Sequence, residues 1–305
     1  MGTVCGRYAA TANPDELIEE FEVVEDHHTD PVRSLLSAPQ DPPPASADHN
    51  MAPTKLAPVV LTRRPHPSSD GSASPIPPDS PRGSITRRGE VEGKGEETAI
   101  RQLRLLTWGL VPSWADTPKV GLRMINARAE SLFEKRAFTK AALTRRAIVP
   151  ARAWYEWQVS PTATDAKGKP RKQPFAVSRA DGTTLAFGGL YEFWRDRSLG
   201  PEDPNAWVTS FSIITTAAEA GLDRIHDRQP LVLERGDWAE WLDPDTTDRR
   251  AVEALLQPHE PGRFVAHPIS TAVNSVRNNG ARLLDPVGKA DLVGVVDPMT
   301  GEVIG

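Results

Sequence analysis

Apolar positions along this 305-residue chain fall into two regimes, with a long polar interval between them. Near the start, Leu17, Ile18 and Phe21 form a stripe at helical spacing. Asn13 suits the N-cap, Pro14 the first helical position, and acids fill the first turn, so residues 14–24 are expected to form an amphipathic helix. From Asp30 to about Thr98 the pattern is lost: Pro42-Pro43-Pro44 and Pro77-Pro78 sit among Ser, Asp, Gly and Arg, without one aromatic. Such a stretch buries too little apolar area to offset chain entropy, and disorder is expected over about 30–48 and 62–99. Between them lies an island, His49 to Thr54, followed by the apolar run 56–61, which reads as a strand returning to the fold.

Beyond Ile100 the spacing becomes regular. Residues 103–106 read as a strand leading into Trp108-Gly109-Leu110-Val111-Pro112-Ser113-Trp114, and 131–145 as a helix burying Leu132, Phe133, Ala137, Ala141 and Ala142. Short apolar runs predict strands at 147–150, 153–157, 175–178, 184–193 and 207–215, with a polar hairpin loop over 163–172. A short helix is expected from Thr216 to just before Ile225, a strand at 231–233, helices at 238–242 and 249–256, and a last strand at 264–269. Many strands with few, scattered helices indicate an α+β fold with a curled, mostly antiparallel sheet or barrel and peripheral helices, rather than repeated βαβ units. No repeat or second core is visible. One domain over 5–290 is expected, carrying the long disordered insertion and followed by a tail over 291–305.

Composition changes this picture little, because the excess polarity is local: the chain is 38% hydrophobic and 25% charged. A single cysteine excludes an intramolecular disulfide framework, and no histidine has metal-ligand spacing with a partner, so neither a metal nor another cofactor is expected. No apolar run approaches the ~18 residues of a membrane span, and no leader pattern is present, so a soluble cytoplasmic protein without a membrane partner is expected. Charge matters more. The net charge of −5 argues against a general nucleic-acid binder, yet residues 101–157 carry 11 Lys and Arg against 4 Asp and Glu. A basic strip suits a groove that tracks a phosphate backbone, and equally suits solvated helix faces.

The candidate chemistry begins at Cys5, in Cys5-Gly6-Arg7-Tyr8. A cysteine at a mature N-terminus carries a thiol and an α-amine, which together condense with an aldehyde into a thiazolidine ring; the alternative is a small apolar filler at a strand start. Asn126 could orient a terminal amine or hold a carbonyl oxygen, or simply serve a turn. Glu156, in Trp154-Tyr155-Glu156-Trp157, is either the outward residue of an alternating strand or a desolvated acid whose raised pKa suits proton transfer. His226, in a polar loop, is a solvated histidine or an acid/base group titrating near neutrality. Arg7, Arg123, Arg128 and Arg228 fall beside these positions and suit phosphates, while Trp108 and Trp114 could stack on bases or fill a core.

These motifs, with Asn50-Met51-Ala52-Pro53-Thr54, Asn126-Ala127-Arg128-Ala129-Glu130, Ile213-Ile214-Thr215-Thr216 and Ile225-His226-Asp227-Arg228, resemble the SOS response-associated peptidase (SRAP) family in that family's order. The likeness covers roughly 5–29, 49–61 and 101–285. It implies a sensor of abasic sites that crosslinks covalently to single-stranded DNA through an N-terminal cysteine, as a monomer without metal or cofactor, with a peptidase activity that exposes Cys5. By this resemblance Cys5 would be the nucleophile through both nitrogen and sulfur, and Asn126 would hold its amine. Glu156 would serve as acid/base in sugar ring opening and the Schiff-base steps, and His226 would assist ring opening and reversal. Arg7, Arg128 and Arg228 would bind phosphates, and Trp108 and Trp114 would line the groove.

Two features depart from the family pattern. Met1-Gly2-Thr3-Val4 precede Cys5 and would block its amine as an amide. Cutting of the Val4–Cys5 bond by the site itself would free it; initiation at Val4 through a GTG codon is the favoured expectation. The long insertion is the other departure, and no role is assigned to it. Two different functions stay open: a cysteine peptidase acting on other polypeptides through Cys5 and His226, and a non-covalent single-stranded DNA-binding module in which Cys5 is structural.

Overall fold

The computed structural model describes residues 5–64, 99–200, 203–257 and 259–304. The chain opens with β1 (Tyr8–Ala10), α1 (Pro14–Glu20), β2 (Glu25–His27), β3 (Asp48–Met51), β4 (Leu56–Arg63) and β5 (Ile100–Trp108). Then come β6 (Asn126–Arg128), α2 (Arg136–Thr144), β7 (Arg146–Ala151), β8 (Ala153–Thr164), β9 (Pro170–Arg179), β10 (Leu185–Arg195) and β11 (Trp207–Ala217). β12 (Arg228–Pro230), α3 (Trp238–Leu242), α4 (Arg249–Leu255), β13 (Phe264–Pro268), β14 (Val295–Val296) and β15 (Val303–Ile304) complete it.

Two sheets carry the architecture. One runs β13-β9-β8-β1-β3, antiparallel throughout. The other runs β12-β11-β10-β7-β4-β5-β2, and a further parallel pairing of β11 with β5 closes β5-β4-β7-β10-β11 into a five-stranded barrel. The α+β expectation holds, and the sheet is mostly antiparallel with parallel pairings at β2–β5, β5–β11 and β6–β11. Strand alternation explains the layering. Val59 and Leu61 of β4 and Ala147 and Val149 of β7 face a core shared with Tyr8, Trp154 and Phe175 of the other sheet. Val60 and Ile148, on the opposite face, pack beneath Leu17, Phe138, Trp241 and Val252 of the helices.

Local signals fixed α1 well at its start. Asn13 and Glu16 form a reciprocal capping box, with Glu16 N donating to Asn13 Oδ1 at 2.9 Å and Asn13 N to Glu16 Oε2 at 3.2 Å. The helix ends at Glu20 rather than Val24, because Glu22 takes a left-handed φ of 52° and Val24 N turns to Arg101 O, leading into the β2–β5 ladder. The helix expected over 131–145 starts only at Arg136; the chain leaves β6 through a 3-10 turn at Ala129–Ser131 before α2 begins. The helix expected after Thr216 is also corrected. β11 runs on to Ala217 through the β-branched Ile213–Thr216, and only the single 3-10 turn Leu222–Arg224 follows.

The interval expected to be disordered divides. Residues 65–98 lie outside the described residues. Residues 30–47 hold no helix or strand but are tied to the domain: Arg33 reaches Asp196 at 3.0 Å, Gln40 exchanges two hydrogen bonds with the Leu56 backbone, and Lys55 Nζ donates to Asp41 O. The C-terminal tail folds back as the β14–β15 hairpin, with Leu292 and Val295 in the same core as Cys5.

Gly109 and Gly121 bring their backbones together beside the loop that precedes β6. A Cβ on Gly121 would lie 2.5 Å from Gly109 O, and one on Gly109, at φ +125°, 2.6 Å from Gly121 O. Gly121→Ala is therefore expected to lower stability by about 1–3 kcal/mol. A thermal midpoint equal to the parent's would show that this approach is not needed.

Candidate active site at the junction of the sheets

Strand register assembles the site. β1 lies antiparallel to β8 with Tyr8 opposite Trp154, and Tyr155 N donates to Arg7 O at 3.0 Å. Continuing that pairing outward brings Cys5 beside Glu156, and Cys5 N donates to Glu156 Oε1 at 2.7 Å. From the barrel side, the parallel pairing of Asn126 with Ile213 holds the Asn126 amide at Cys5, where Nδ2 donates to Cys5 O at 3.5 Å. The Cys5 backbone nitrogen is thus bonded to Glu156, while Asn126 lies at the neighbouring Cys5 carbonyl. Cys5 itself sits at φ 41°.

Electrostatics separate these groups. Glu156 is 3% exposed, and burial pushes its carboxyl up to about 8; the hydrogen bond from Cys5 N pulls it down and Asp227 adds to the rise. The Cys5 thiol is also fully buried and held well above its ordinary range, first by burial and then by Glu156. His226 follows the Leu222–Arg224 turn, its N–H bonded to Leu222 O at 3.1 Å. Its Nδ1 accepts from Arg228 N at 3.1 Å and lies 2.9 Å from Asp227 Oδ1. Burial lowers its pKa below the ordinary value, an effect Asp227 opposes and Arg228 reinforces.

The expected phosphate and base contacts divide more sharply. Trp108 is 0% exposed, donates Nε1–H to Ile125 O at 2.9 Å and packs edge-on to Tyr8, so it offers no face to a base and is a core residue. Trp114 is 47% exposed, with the Arg136 guanidinium 5.0 Å over its ring. Arg128 and Arg123 are exposed. Arg228 forms a fork with Glu130, at 2.6 and 2.9 Å, and donates to Thr215 O at 2.7 Å, so its charge is already matched. That fork holds the Glu130 carboxyl below its ordinary value. Arg7 turns inward to Asn50 Oδ1 at 2.7 Å and Val273 O at 3.0 Å. The fully buried Asn50 donates on to the carbonyls of Val273, Ser275 and Asn278.

Glu130 and Asn50 were missed as partners, because each acts on a residue far away in sequence. Their motifs were visible; their pairings were not. Among the described residues no group of three or more His, Cys, Asp or Glu side chains could hold a metal ion, and no helix is long and apolar enough to cross a membrane.

Residues 4–276 match the family described as SOS response associated peptidase (SRAP). The chain belongs to the SRAP family. Among its relatives, the abasic site processing protein YoqW of Bacillus subtilis (strain 168) is 37% identical over 184 residues, which is 60% of this chain and 76% of that protein. The abasic site processing protein YedK of Escherichia coli (strain K12) is 35% identical over 59% of this chain and 73% of its own length. The abasic site processing protein HMCES of Xenopus tropicalis is 32% identical over 61% and 58%. A crystal structure of a Bacteroides thetaiotaomicron protein shares the fold, with TM-score 0.64 over 93% of this chain and all of the other, at 19% identity. Cys5, Asn126, Glu156 and His226 all fall inside the SRAP match; the β14–β15 hairpin lies beyond it.

Proposed function

We propose that this SRAP protein processes abasic sites in single-stranded DNA, as a monomer, by crosslinking to them through the α-amine and thiol of Cys5. The observation that carries the reading is the 2.7 Å hydrogen bond from Cys5 N to a carboxyl whose pKa is pushed up to about 8. A ring-opened abasic sugar presents an aldehyde. The amine adds to its carbon, and loss of water leaves an imine. Glu156, able to hold a proton near neutral pH while the attacking amine beside it is uncharged, donates to the departing hydroxyl and to the opening sugar ring. The thiol then adds across the C=N bond: a C–S bond forms, the thiol proton goes to nitrogen, and no oxidant is consumed. This last step is intramolecular and gains from high effective molarity. His226 assists ring opening and the reverse reaction, and exposed Arg128 and Trp114 contact the strand.

A buried thiol held well above its ordinary pKa is a poor thiolate. Among the described residues no hydrogen bond joins Cys5 to His226. Both points favour amine-first capture over a peptidase that works through a Cys–His pair. The reading requires Cys5 N as a free amine, supplied by hydrolysis of the Val4–Cys5 bond, or by starting the chain at position 4 and then removing that initiator residue.

The test is direct. Protein whose first residue is shown to be Cys5 by intact mass is incubated with single-stranded DNA bearing one abasic site, and adducts are scored on a denaturing gel. An adduct is expected, absent with undamaged DNA and lost in Cys5→Ala. Peptide turnover without an adduct, or salt-sensitive binding indifferent to Cys5→Ala, would replace this reading with one of its alternatives.

A further inference from the structure

Trp154, Glu156, Gln158 and Ser160 share one face of β8 and are all buried; from Trp157 onward the residues between them are more exposed. The first two belong to the core and the candidate site. The next two hold the C-terminal segment. Gln158, 2% exposed, donates from Nε2 to Val296 O at 2.9 Å and to Arg224 O at 3.1 Å, and its Oε1 accepts from Val296 N at 2.8 Å. Ser160 Oγ donates to Gly294 O at 2.6 Å. From the other side, Arg224 Nη1 donates to Pro298 O at 2.6 Å. Arg224 stands two residues before His226 and ends the 3-10 turn that presents it.

We infer that Gln158, with the C-terminal hairpin it anchors, is a positioning residue for His226. This rests on the role given to His226 above. The hairpin lies outside the residues that match the family, so the brace joins the matched residues to the segment that follows them. Its logic is mechanical: one buried amide ties the strand bearing Glu156 to the backbone leading into His226 and to β14. Beyond the turn, Arg228 is already fixed on β11 opposite Ala217, so Gln158 and Pro298 secure the end that β11 does not. The charged groups around the imidazole are Asp227 and Arg228 from its own loop, Glu156 from β8 through Asp227, and Glu130 on Arg228. Asp297 of the hairpin is occupied by the Met299 and Thr300 amides.

Gln158→Leu, Gln158→Glu and Arg224→Ala test this, each shown to be folded by its thermal midpoint. The glutamate keeps the acceptor for Val296 N and loses both donors, and it serves if the leucine variant does not fold. The His226 imidazole is titrated by NMR, its resonance identified by loss in His226→Ala. Its midpoint is expected to rise toward the ordinary value of about 6.5 in the variants as the turn opens to water. Adduct formation is expected to slow about threefold to tenfold, and the slowing to vanish when the variants are placed in a His226→Ala background. A titration unmoved in the folded variants, or a rate loss that persists in full without His226, would overturn the inference. Should the parent protein form no adduct, the functional reading falls, and the titration alone still decides the brace.

Discussion

Glu156→Gln is expected to slow adduct formation about a hundredfold or more, the usual scale for losing a placed acid/base group, while affinity for single-stranded DNA stays largely intact. The amide oxygen of the variant can still accept from Cys5 N, so the geometry survives and only the exchangeable proton is lost. The same substitution should stabilise the protein where Cys5 is still an amide. In that form Glu156 titrates at about 8 when folded and near 4.3 when unfolded. Between those values the folded state holds the extra proton, so stability falls as pH rises through this window and its full cost is felt above about pH 8. Glu156→Gln should melt together with the parent near pH 4 and above it at pH 9, by a difference on the order of a few kcal/mol. Parallel melting curves across that range, or unchanged adduct kinetics, would refute the assignment. A positively charged α-amine at the same 2.7 Å would favour the carboxylate and flatten the slope, so the melting profile also reports whether Cys5 has been freed.

The two tryptophans should part company. Trp108→Ala removes a fully buried indole and its bond to Ile125 O, and is expected to cost about 3–5 kcal/mol. Trp114→Ala, at a half-exposed ring, should leave the thermal midpoint nearly unchanged and weaken single-stranded DNA binding by about tenfold, the range of one lost base stack. A folded Trp108 variant that loses DNA affinity without losing stability would reverse these roles.

How much of this was legible in the sequence depends on range. The α1 cap and most strand cores rest on neighbouring residues and match the structure; the strand expected at 231–233 does not, since β12 occupies Arg228–Pro230 and Val232 makes only an isolated bridge to Phe187. A helix limit failed where a distant strand claimed the backbone, as β12 did for Thr215–Ala217. The same holds in the site. The aromatic neighbours of Glu156 leave it open between an outward strand position and a desolvated acid, and what decides it, the bond from Cys5, spans 151 residues. The Arg228–Glu130 fork spans 98, and nothing local marks a guanidinium as already neutralised. Barrel closure through β5 and β11 is likewise a long-range event that no hydrophobic period encodes.

Arg63 pairs with Ile100 at one end of the β4–β5 ladder, and Leu56 with Thr107 at the other, beside the buried Trp108. The segment between Arg63 and Ile100 therefore leaves and re-enters the fold at adjacent points, on the order of 25 Å along the strands from the Leu56–Thr107 end of the ladder. For a connection whose ends already meet, doubling the length costs only about 0.6 kcal/mol of closure entropy. That hairpin tip is a natural port for exchange. Lineages or engineers can shorten it, extend it or splice in a reporter there while the reacting groups keep their places.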